Sequence, residues 1–475
     1  MPRVIEESFR LRRLARRAGW RPRTLRAHAP ERPVGAKLEL THACNLRCGF
    51  CYTDSPRHTL ARTPDLSDEA WLGIADEVAS LGVIEVVLTG GEPLLRRELV
   101  LELVDRLGRP GIGLTLNTNG WFLDDATADR LARVGGLEAH ISIDGAMPAL
   151  HDAQRGVPGS WRRAVRAASR LLDRGVRVRI VHVVTPANEA AFPAFLELMW
   201  TLGVDSVQVT PVVEIGAAAR GGRWRVSRAR LRRTITRFQA AHGDDMRVVL
   251  QPGNAGVLAV NDEAAPAALL VRPSGVVLTD SLHPFAFGHA LEDGLEECWR
   301  RIAADWRHPR ISRWAGSLRS HRDLPSAEVV PYLDDEMPVQ GSVEELGSRR
   351  HADEPVPAPA PPRDGTGDRA DNIDRAHAEV RELAMARRYR LGAVRLGGGG
   401  DSHYVRTATG GKVVRLNGTA ALLVHALDGC TLGDAVNELA SRFTATDRAR
   451  LEQDVLAVGR SLTRRKILLA ADCPD

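Results

Sequence analysis

A chain of 475 residues exceeds what one hydrophobic core usually organises, so two or three domains are expected. Lysine and arginine exceed aspartate and glutamate by only 65 to 60, with no basic, aromatic-studded stripe and no apolar run long enough for a spanning helix, which excludes a nucleic-acid partner and a helical membrane anchor. Six cysteines are too few for a disulfide scaffold at this length, and three of them crowd into eight residues, which points to a metal centre in a reducing, cytoplasmic setting.

Residues 1–35 make a basic lead-in, with Arg10, Arg12, Arg13, Arg16 and Arg17 and no signal-peptide apolar stretch behind them. Phe9, Leu11, Leu14 and Ala15 share one helical face there, so a helix packed on the outside of the next domain is expected. From Leu38 a unit recurs: a short apolar strand, a turn, a helix of about ten residues or more, and a closing glycine. The closing glycines are Gly82, Gly108, Gly135, Gly175 and Gly203. Strands are predicted at Leu38–Thr41, Ile84–Leu88, Gly113–Leu116, Leu137–Ile143, Val178–Val184 and Asp205–Thr210. Six such units set the fold class as α/β, a partial (β/α)6 TIM-type barrel over residues 36–250.

Such barrels do their chemistry at the carboxyl ends of the strands, and the loops there are chemically unusual. The first strand leads into a cysteine loop, the second into Thr89-Gly90-Gly91-Glu92-Pro93, the third into Asn117-Thr118-Asn119-Gly120 and the fourth into Asp144-Gly145.

Residues 251–345 read as a smaller, more irregular extension, in which Cys298 shares a helical face with Leu295 and Ile302 and is expected to be a buried core thiol. Residues 346–379 read as a linker, Pro-, Asp- and Gly-rich from His351 to Asp374. Residues 380–475 read as a small α+β unit, with strands near Tyr389–Leu396, Ser402–Thr407 and Lys412–Leu416, a hairpin turn at Gly410-Gly411 and helices beyond. Cys430 and Cys473 fall in that unit, far from the cysteine loop.

Cys44, Cys48 and Cys51 stand as Cys-x-x-x-Cys-x-x-Cys. Thiolates ligate iron–sulfur cubanes one per iron, so three from one loop leave the fourth iron open, and an open metal position is a catalytic one. A zinc knuckle would need a fourth ligand close by, and His42, His58 and Asp54 lack the spacing. The loop resembles that of the radical S-adenosylmethionine (SAM) superfamily. The resemblance implies one [4Fe-4S] cluster with SAM on its open iron, and reductive cleavage of SAM to a 5′-deoxyadenosyl radical. It also implies contact of Gly90, Gly91 and Glu92 with the SAM methionyl amine, of Phe50 with the adenine, with Tyr52 extending that wall, and of Asn119, Ser142 and Asp144 with the ribose and substrate side. His151, Arg155 and Gly156 resemble a loop common in peptide-modifying members. Ordinary Asx turns and a plain helix start account for these last positions as well.

Peptide-modifying members often carry a cysteine-rich SPASM extension that holds auxiliary clusters. Pro273 to Asp280 is similar to its opening segment, with Asp280 where a cysteine would stand, and Leu291 to Trp299 is similar to its closing helix. The resemblance therefore implies a degenerate SPASM-like extension without cluster cysteines. Auxiliary clusters are the usual electron acceptor in oxidative crosslinking, so their loss weakens that outcome against redox-neutral epimerisation; both stay open.

The tail resembles PqqD-like domains through Ser402–Val405, Val413–Ala420, Leu427-Asp428-Gly429 and the helix from Leu432 to Phe443. The resemblance implies a winged-helix-like unit that takes a leader peptide as an added strand, at Tyr404, Val405, Val413, Val414 and Leu416. A flexible linker would then raise the effective concentration of the peptide at the barrel. The alternative is a unit that only packs on the barrel or mediates dimerisation.

Joined, the two resemblances imply a cytoplasmic enzyme that matures a ribosomally made precursor peptide (RiPP), with a flavodoxin or ferredoxin as reductant. Two readings stay beside it: radical SAM chemistry on a small metabolite or tetrapyrrole, and a catalytically inactive peptide-binding chaperone. Leader dependence separates the first from the second, and peptide binding without SAM cleavage would mark the third.

Overall fold

A computed structural model describes residues 29–55, 64–109, 111–220, 224–243, 245–251, 266–281, 285–311 and, with short gaps, 366–470. The lead-in up to residue 28, the second half of the 251–345 extension and linker residues 346–365 lie outside the described residues, as do His58, Gly410, Gly411 and Cys473.

The strands are β1 (Gly35–Glu39), β2 (Glu85–Thr89), β3 (Gly113–Thr118), β4 (Glu138–Ser142), β5 (Arg177–Val184), β6 (Ser206–Pro211), β7 (Arg247–Leu250), β8 (Ala268–Val271) and β9 (Val277–Leu278). They form one sheet in the order β7-β6-β5-β4-β3-β2-β1-β8-β9, parallel throughout except for β8 against β9. All six predicted strands are present, and the expected six-stranded count is corrected upward. β7 extends one side, while the extension after residue 251 supplies β8 and β9 on the other.

Between the strands run α1 (Asp68–Ser80), α2 (Arg97–Leu107), α3 (Asp125–Ala132), α4 (Pro148–Arg155), α5 (Ser160–Asp173), α6 (Phe192–Leu202) and α7 (Arg228–His242). Ser67, Asp124 and Ser227 cap α1, α3 and α7 by accepting from Ala70 N, Thr127 N and Arg230 N. Gly203 stops α6 in the left-handed region at φ 91°. Val86, Leu88, Leu114, Leu116, Ala139, Ile141, Val178 and Ile180 face these helices and are wholly buried. The alternate residues Val87, Asn117, His140, Arg179 and Gln208 are half-buried. A parallel sheet closed on both faces would be apolar on both; this alternation makes the inner face largely polar. In the extension, α8 (Leu295–Asp305) covers β9, and Cys298 is fully buried as expected of a core thiol.

The linker expectation is corrected for residues 366–379, which begin α9 (Thr366–Met385). Ile373, Ala376, Val380 and Leu383 recur at helical spacing and pack into the barrel's core, and His377 Nε2 lies 3.1 Å from Ala194 O of α6. The flexible tether is therefore replaced, over these residues, by a helix laid against the barrel.

The predicted strand Tyr389–Leu396 is also corrected, because its halves pair with different partners. β10 (Tyr389–Leu391) pairs with β14 (Leu468–Ala470), whereas β11 (Val394–Gly399) joins β12 (Ser402–Thr407) and β13 (Val413–Leu416) in an antiparallel sheet with β12 in the centre. Helices α10 (Gly418–Ala426), α11 (Leu432–Arg442) and α12 (Arg448–Arg464) complete the unit around its own core of Leu423, Leu427, Leu439, Val455 and Leu468.

Two arginines fasten this unit to the barrel. Helix ends leave carbonyls without partners, and α6 has no basic residue in its last turn. Arg387 gives Nη1 and Nη2 to Leu202 O at 3.5 and 3.4 Å and Nε to Asp173 at 2.7 Å. Arg460 gives Nη2 to Val204 O and Asp245 O, both at 3.1 Å, with its guanidinium 5.3 Å from the Trp200 ring. No helix among the described residues is long and apolar enough to cross a membrane.

Candidate active site

The cysteine loop leaves β1 and is clamped from three sides. From the β2 loop, Gly91 N donates to Thr41 O at 2.7 Å and Glu92 N to Ala43 O at 2.8 Å. From the end of α4, Arg155 O accepts Arg47 N at 2.9 Å and Gln154 O accepts Gly49 N at 3.4 Å. From the β6 loop, Ala217 N donates to Cys51 O at 2.8 Å. A side chain has no room at these approaches. A Cβ on Gly90 would stand 2.7 Å from Thr41 O, one on Gly91 would overlap Ala43 O, and one on Gly156, at φ 71°, would stand 2.7 Å from Arg47 O. The absence of side chains on the Gly-Gly pair lets the β2 loop approach the cysteine loop closely. At the loop's start, Asp65 accepts from Thr41 Oγ1 at 2.5 Å and lies 2.8 Å from His42 Nδ1, so His42 is engaged away from the thiols.

Each thiol meets a polar group. Leu46 N lies 3.5 Å from Cys44 Sγ, Arg155 Nη1 3.7 Å from Cys48 Sγ and Thr53 Oγ1 3.2 Å from Cys51 Sγ. Burial pushes the Cys44 thiol up to about 11 and Cys48 up to about 12, so bare thiolates are unfavourable here and a bound cation would be needed to hold them ionised. No group of three His, Cys, Asp or Glu among the described residues is set for a single metal ion. The donor set, three thiolates from one loop with hydrogen bonds on sulfur, fits an iron–sulfur cluster.

Glu92 is buried and accepts from Leu94 N at 3.0 Å, Thr118 Oγ1 at 2.6 Å and Asn119 N at 2.7 Å. Burial raises it to about 7 against the pull of those donors. Asn119 continues the chain, giving Nδ2 to Asn45 Oδ1 at 2.9 Å, next to Cys44. Asn45 Nδ2 and, one strand layer away, Asn117 Oδ1 are buried without partners. Orphaned polar atoms beside the thiol loop fit a polar ligand such as SAM. Ser142 ends β4 half-buried in the lumen.

Asp144 is a hub rather than an open lumen group. It is fully buried, pairs with Arg155 Nε at 2.5 Å and accepts from Val183 N at 2.7 Å. Its own N–H donates to His151 Nδ1 at 3.0 Å, so that nitrogen is unprotonated, and burial holds His151 down to about 4. The Arg155 guanidinium lies 5.2 Å from the Phe50 ring and reaches Cys48. The sequence singled out Arg155 as part of a loop resemblance; its contact with a cysteine far away in the chain had no local signal. Phe50 packs with Val212, Ala218 and Trp224 beneath the loop. Tyr52 turns its hydroxyl to Lys37 Nζ at 3.4 Å, and Lys37 also reaches Ser281 Oγ at 2.7 Å near the Glu39–Arg272 pair. The structure thus brings Cys44, Cys48, Cys51, Phe50, Tyr52, Gly90, Gly91, Glu92, Asn119 and Asp144 to one loop cluster. In the tail, Tyr404 and Val405 lie on the central strand β12, while Val413, Val414 and Leu416 lie on the edge strand β13. A strand can add only beside β11 or β13.

Residues 38–199 match the family described as the Radical SAM superfamily, and residues 402–468 match Coenzyme PQQ synthesis protein D (PqqD). A PqqA peptide cyclase of Ruegeria pomeroyi is 34% identical over 188 residues, 40% of this chain and 50% of that protein. An AdoMet-dependent heme synthase of Oleidesulfovibrio alaskensis is 31% identical over 201 residues, 42% of this chain and 51% of that protein. The sporulation killing factor maturation protein SkfB of Bacillus subtilis is 26% identical over 269 residues, 56% of this chain and 64% of that protein. The chain spans about half the length of the curated relatives it matches. Its fold is like that of Streptococcus suis SuiB bound to precursor peptide SuiA, with TM-score 0.50 and 17% identity over 64% of this chain and 71% of that one.

Proposed function

We propose, from a chain whose residues 38–199 match the Radical SAM superfamily and whose residues 402–468 match PqqD, that the protein is a SAM-dependent radical enzyme that modifies a ribosomally made precursor peptide. The observation that carries the catalytic half is the loop of Cys44, Cys48 and Cys51, held by three neighbouring loops with a polar partner on every sulfur. A [4Fe-4S] cluster carrying SAM, when bound there, supplies a 5′-deoxyadenosyl radical for hydrogen abstraction.

The chain's own residues divide the remaining work. Cys44, Cys48 and Cys51 ligate; Arg155, steered by Asp144, offsets the charge of the Cys48 thiolate. Asn45, Asn117, Asn119 and Ser142 offer polar atoms to SAM, and Glu92, ionised, matches its ammonium while Thr118 and Asn119 hold the carboxylate in place. Phe50 supports the loop from below and Tyr52 closes the wall on the lumen side. The lumen admits the peptide's reacting residue, and the leader adds to an edge of the small sheet, beside β11 or beside β13 with its Val413, Val414 and Leu416. Among the described residues of the extension only the buried Cys298 is a cysteine, so epimerisation and crosslinking both remain outcomes to be measured. A flavodoxin or ferredoxin in the cytoplasm would supply the electron.

A tetrapyrrole substrate is the second reading, favoured by the likeness to an AdoMet-dependent heme synthase over nearly the same share of the chain; the PqqD domain speaks for a peptide. The test is anaerobic reconstitution followed by SAM, dithionite and a candidate precursor peptide with and without its leader. About four irons per chain, 5′-deoxyadenosine and a leader-dependent change in the peptide support the proposal. Iron and cleavage without any leader-dependent change defeat the peptide half, and no cleavage at all, or cleavage surviving a Cys44→Ala/Cys48→Ala/Cys51→Ala variant, defeats the whole.

A further inference from the structure

Helix α7 reads RARLRRTITRFQAAH, five arginines and no carboxylate in 15 residues. Leu231, Ile235 and Phe238 form its buried face. Arg230, Arg232, Arg233 and Arg237 are exposed and Arg228 is half-buried. On the neighbouring outer helices arginines meet carboxylates: Arg106 with Asp76, Arg130 with Asp105, Arg170 with Asp125, Arg174 with Asp129. None of the five on α7 forms a side-chain ion pair or hydrogen bond among the described residues.

This arrangement works against the helix that carries it. Cations at an amino end oppose the macrodipole, and Arg228/Arg232 and Arg233/Arg237 are like charges one turn apart. A surface charged at the expense of its own helix fits an acidic partner, which would relieve both terms. Its place in the fold narrows the partner. Four residues before Arg228, Trp224 packs with Phe50, Val212 and Ala218 against Cys48 and gives Nε1 to Ala218 O at 3.0 Å. The adjoining Ala217 N holds Cys51 O, and a Cβ on Gly216 would come within 2.6 Å of the same oxygen. The residues that precede the arginine helix, Gly216 to Ala218 and Trp224, are thus packed against the thiol loop. Exposed aromatics that would stack nucleic-acid bases are absent from α7.

We propose that the arginine face of α7 docks an acidic one-electron carrier protein of the flavodoxin or ferredoxin class, and that the patch of Val212, Ala218 and Trp224 joins that face to Cys48 and Cys51. The inference rests on the proposed function for its need of a reductant. In the step it serves, the carrier is oxidised by one electron and SAM consumes that electron as its carbon–sulfur bond breaks to methionine and the deoxyadenosyl radical; no proton moves on docking.

The test compares the reconstituted full chain with its Arg228→Gln/Arg232→Gln/Arg233→Gln variant. Binding of a bacterial flavodoxin is measured at low and physiological salt, and 5′-deoxyadenosine formation is driven either by reduced flavodoxin or by dithionite. Expected are flavodoxin binding by the wild type that weakens with salt, a variant that binds about tenfold more weakly with a flatter salt response, and an equal rise in the flavodoxin KM. Dithionite-driven cleavage should stay unchanged. Equal affinity and KM overturn the inference. So does an equal loss with dithionite, which would mark the helix as structural, and so does retention of duplex DNA or of an acidic peptide through these arginines without competition from flavodoxin. If wild-type protein cleaves no SAM even with dithionite, the proposed function fails, while the binding measurement still decides the docking surface.

Discussion

Arg155 and Cys48, 107 residues apart in the chain, meet at 3.7 Å from Nη1 to Sγ. The guanidinium is buried, steered by Asp144 and nearer to the sulfur side than the carboxylate that balances it. Reduction adds negative charge at the thiolates, so a cation there favours the reduced state. Arg155→Met should lower the cluster's midpoint potential, and Arg155→Lys should recover part of it. A unit charge at an effective dielectric near 20 is worth about 4 kcal/mol at this range; if Asp144 cancels most of it, the remaining ~1 kcal/mol is a one-electron shift of about 40 mV. Redox titration followed by electron paramagnetic resonance measures it; an unchanged potential in the Met variant refutes the assignment.

Gly91 lies where any side chain would overlap Ala43 O. Gly91→Ala must push the cysteine loop away from the β2 loop, at a local cost of about 3 kcal/mol. Reconstituted iron should drop well below the wild-type content while far-ultraviolet circular dichroism is unchanged. Full iron loading would mean that the loop adjusts freely.

Burial raises Glu92 to about 7, from an ordinary 4.5. An acid raised in the folded state binds more protons there than in the unfolded chain, so its contribution is greatest below about 4.5 and falls as pH climbs to 7. Across that window the cluster-free protein should lose up to about 3 kcal/mol from this group. Glu92→Gln should flatten the slope of stability against pH, as read by urea unfolding at several pH values. An identical slope in both proteins would contradict this.

Arg387 is inserted between Asp173 and the end of α6. Arg387→Ala/Arg460→Ala strips both guanidinium partners from those carbonyls at a cost of about 2–4 kcal/mol. Amide exchange at the carboxyl end of α6 and around β10 should accelerate, and the radius of gyration should grow. The isolated affinity for leader peptide should persist while its modification slows. Unaltered exchange at α6 would show that the contacts contribute nothing.

Much of the barrel was legible because period-two strands and closing glycines are local signals. β7 escaped, since Arg247–Leu250 is only four residues long and starts on a charge. Helix α9 escaped because the Pro- and Gly-rich run before it dominated the composition, although Ile373, Ala376, Val380 and Leu383 carried a helical period that could have revealed it. The cysteines were legible from spacing alone. The clamp around them was not, because the partners of Gly91, Gly156 and Ala217 lie in other loops, and whether a glycine serves a ligand or a neighbouring chain depends on the assembled fold.

The two arginines on the end of α6 also bear on how this chain could be re-engineered. A recognition module strung on a loose cord can be exchanged for another at will. Here the module is keyed to Leu202, Val204 and Asp173 of the barrel, so a transplanted tail would need matching guanidinium groups, or a transplanted barrel the matching helix end. Under the proposed function, the span between the edge of the small sheet and the thiol loop would then act as a fixed gauge, and the residue altered in a precursor would be chosen by its count from the leader.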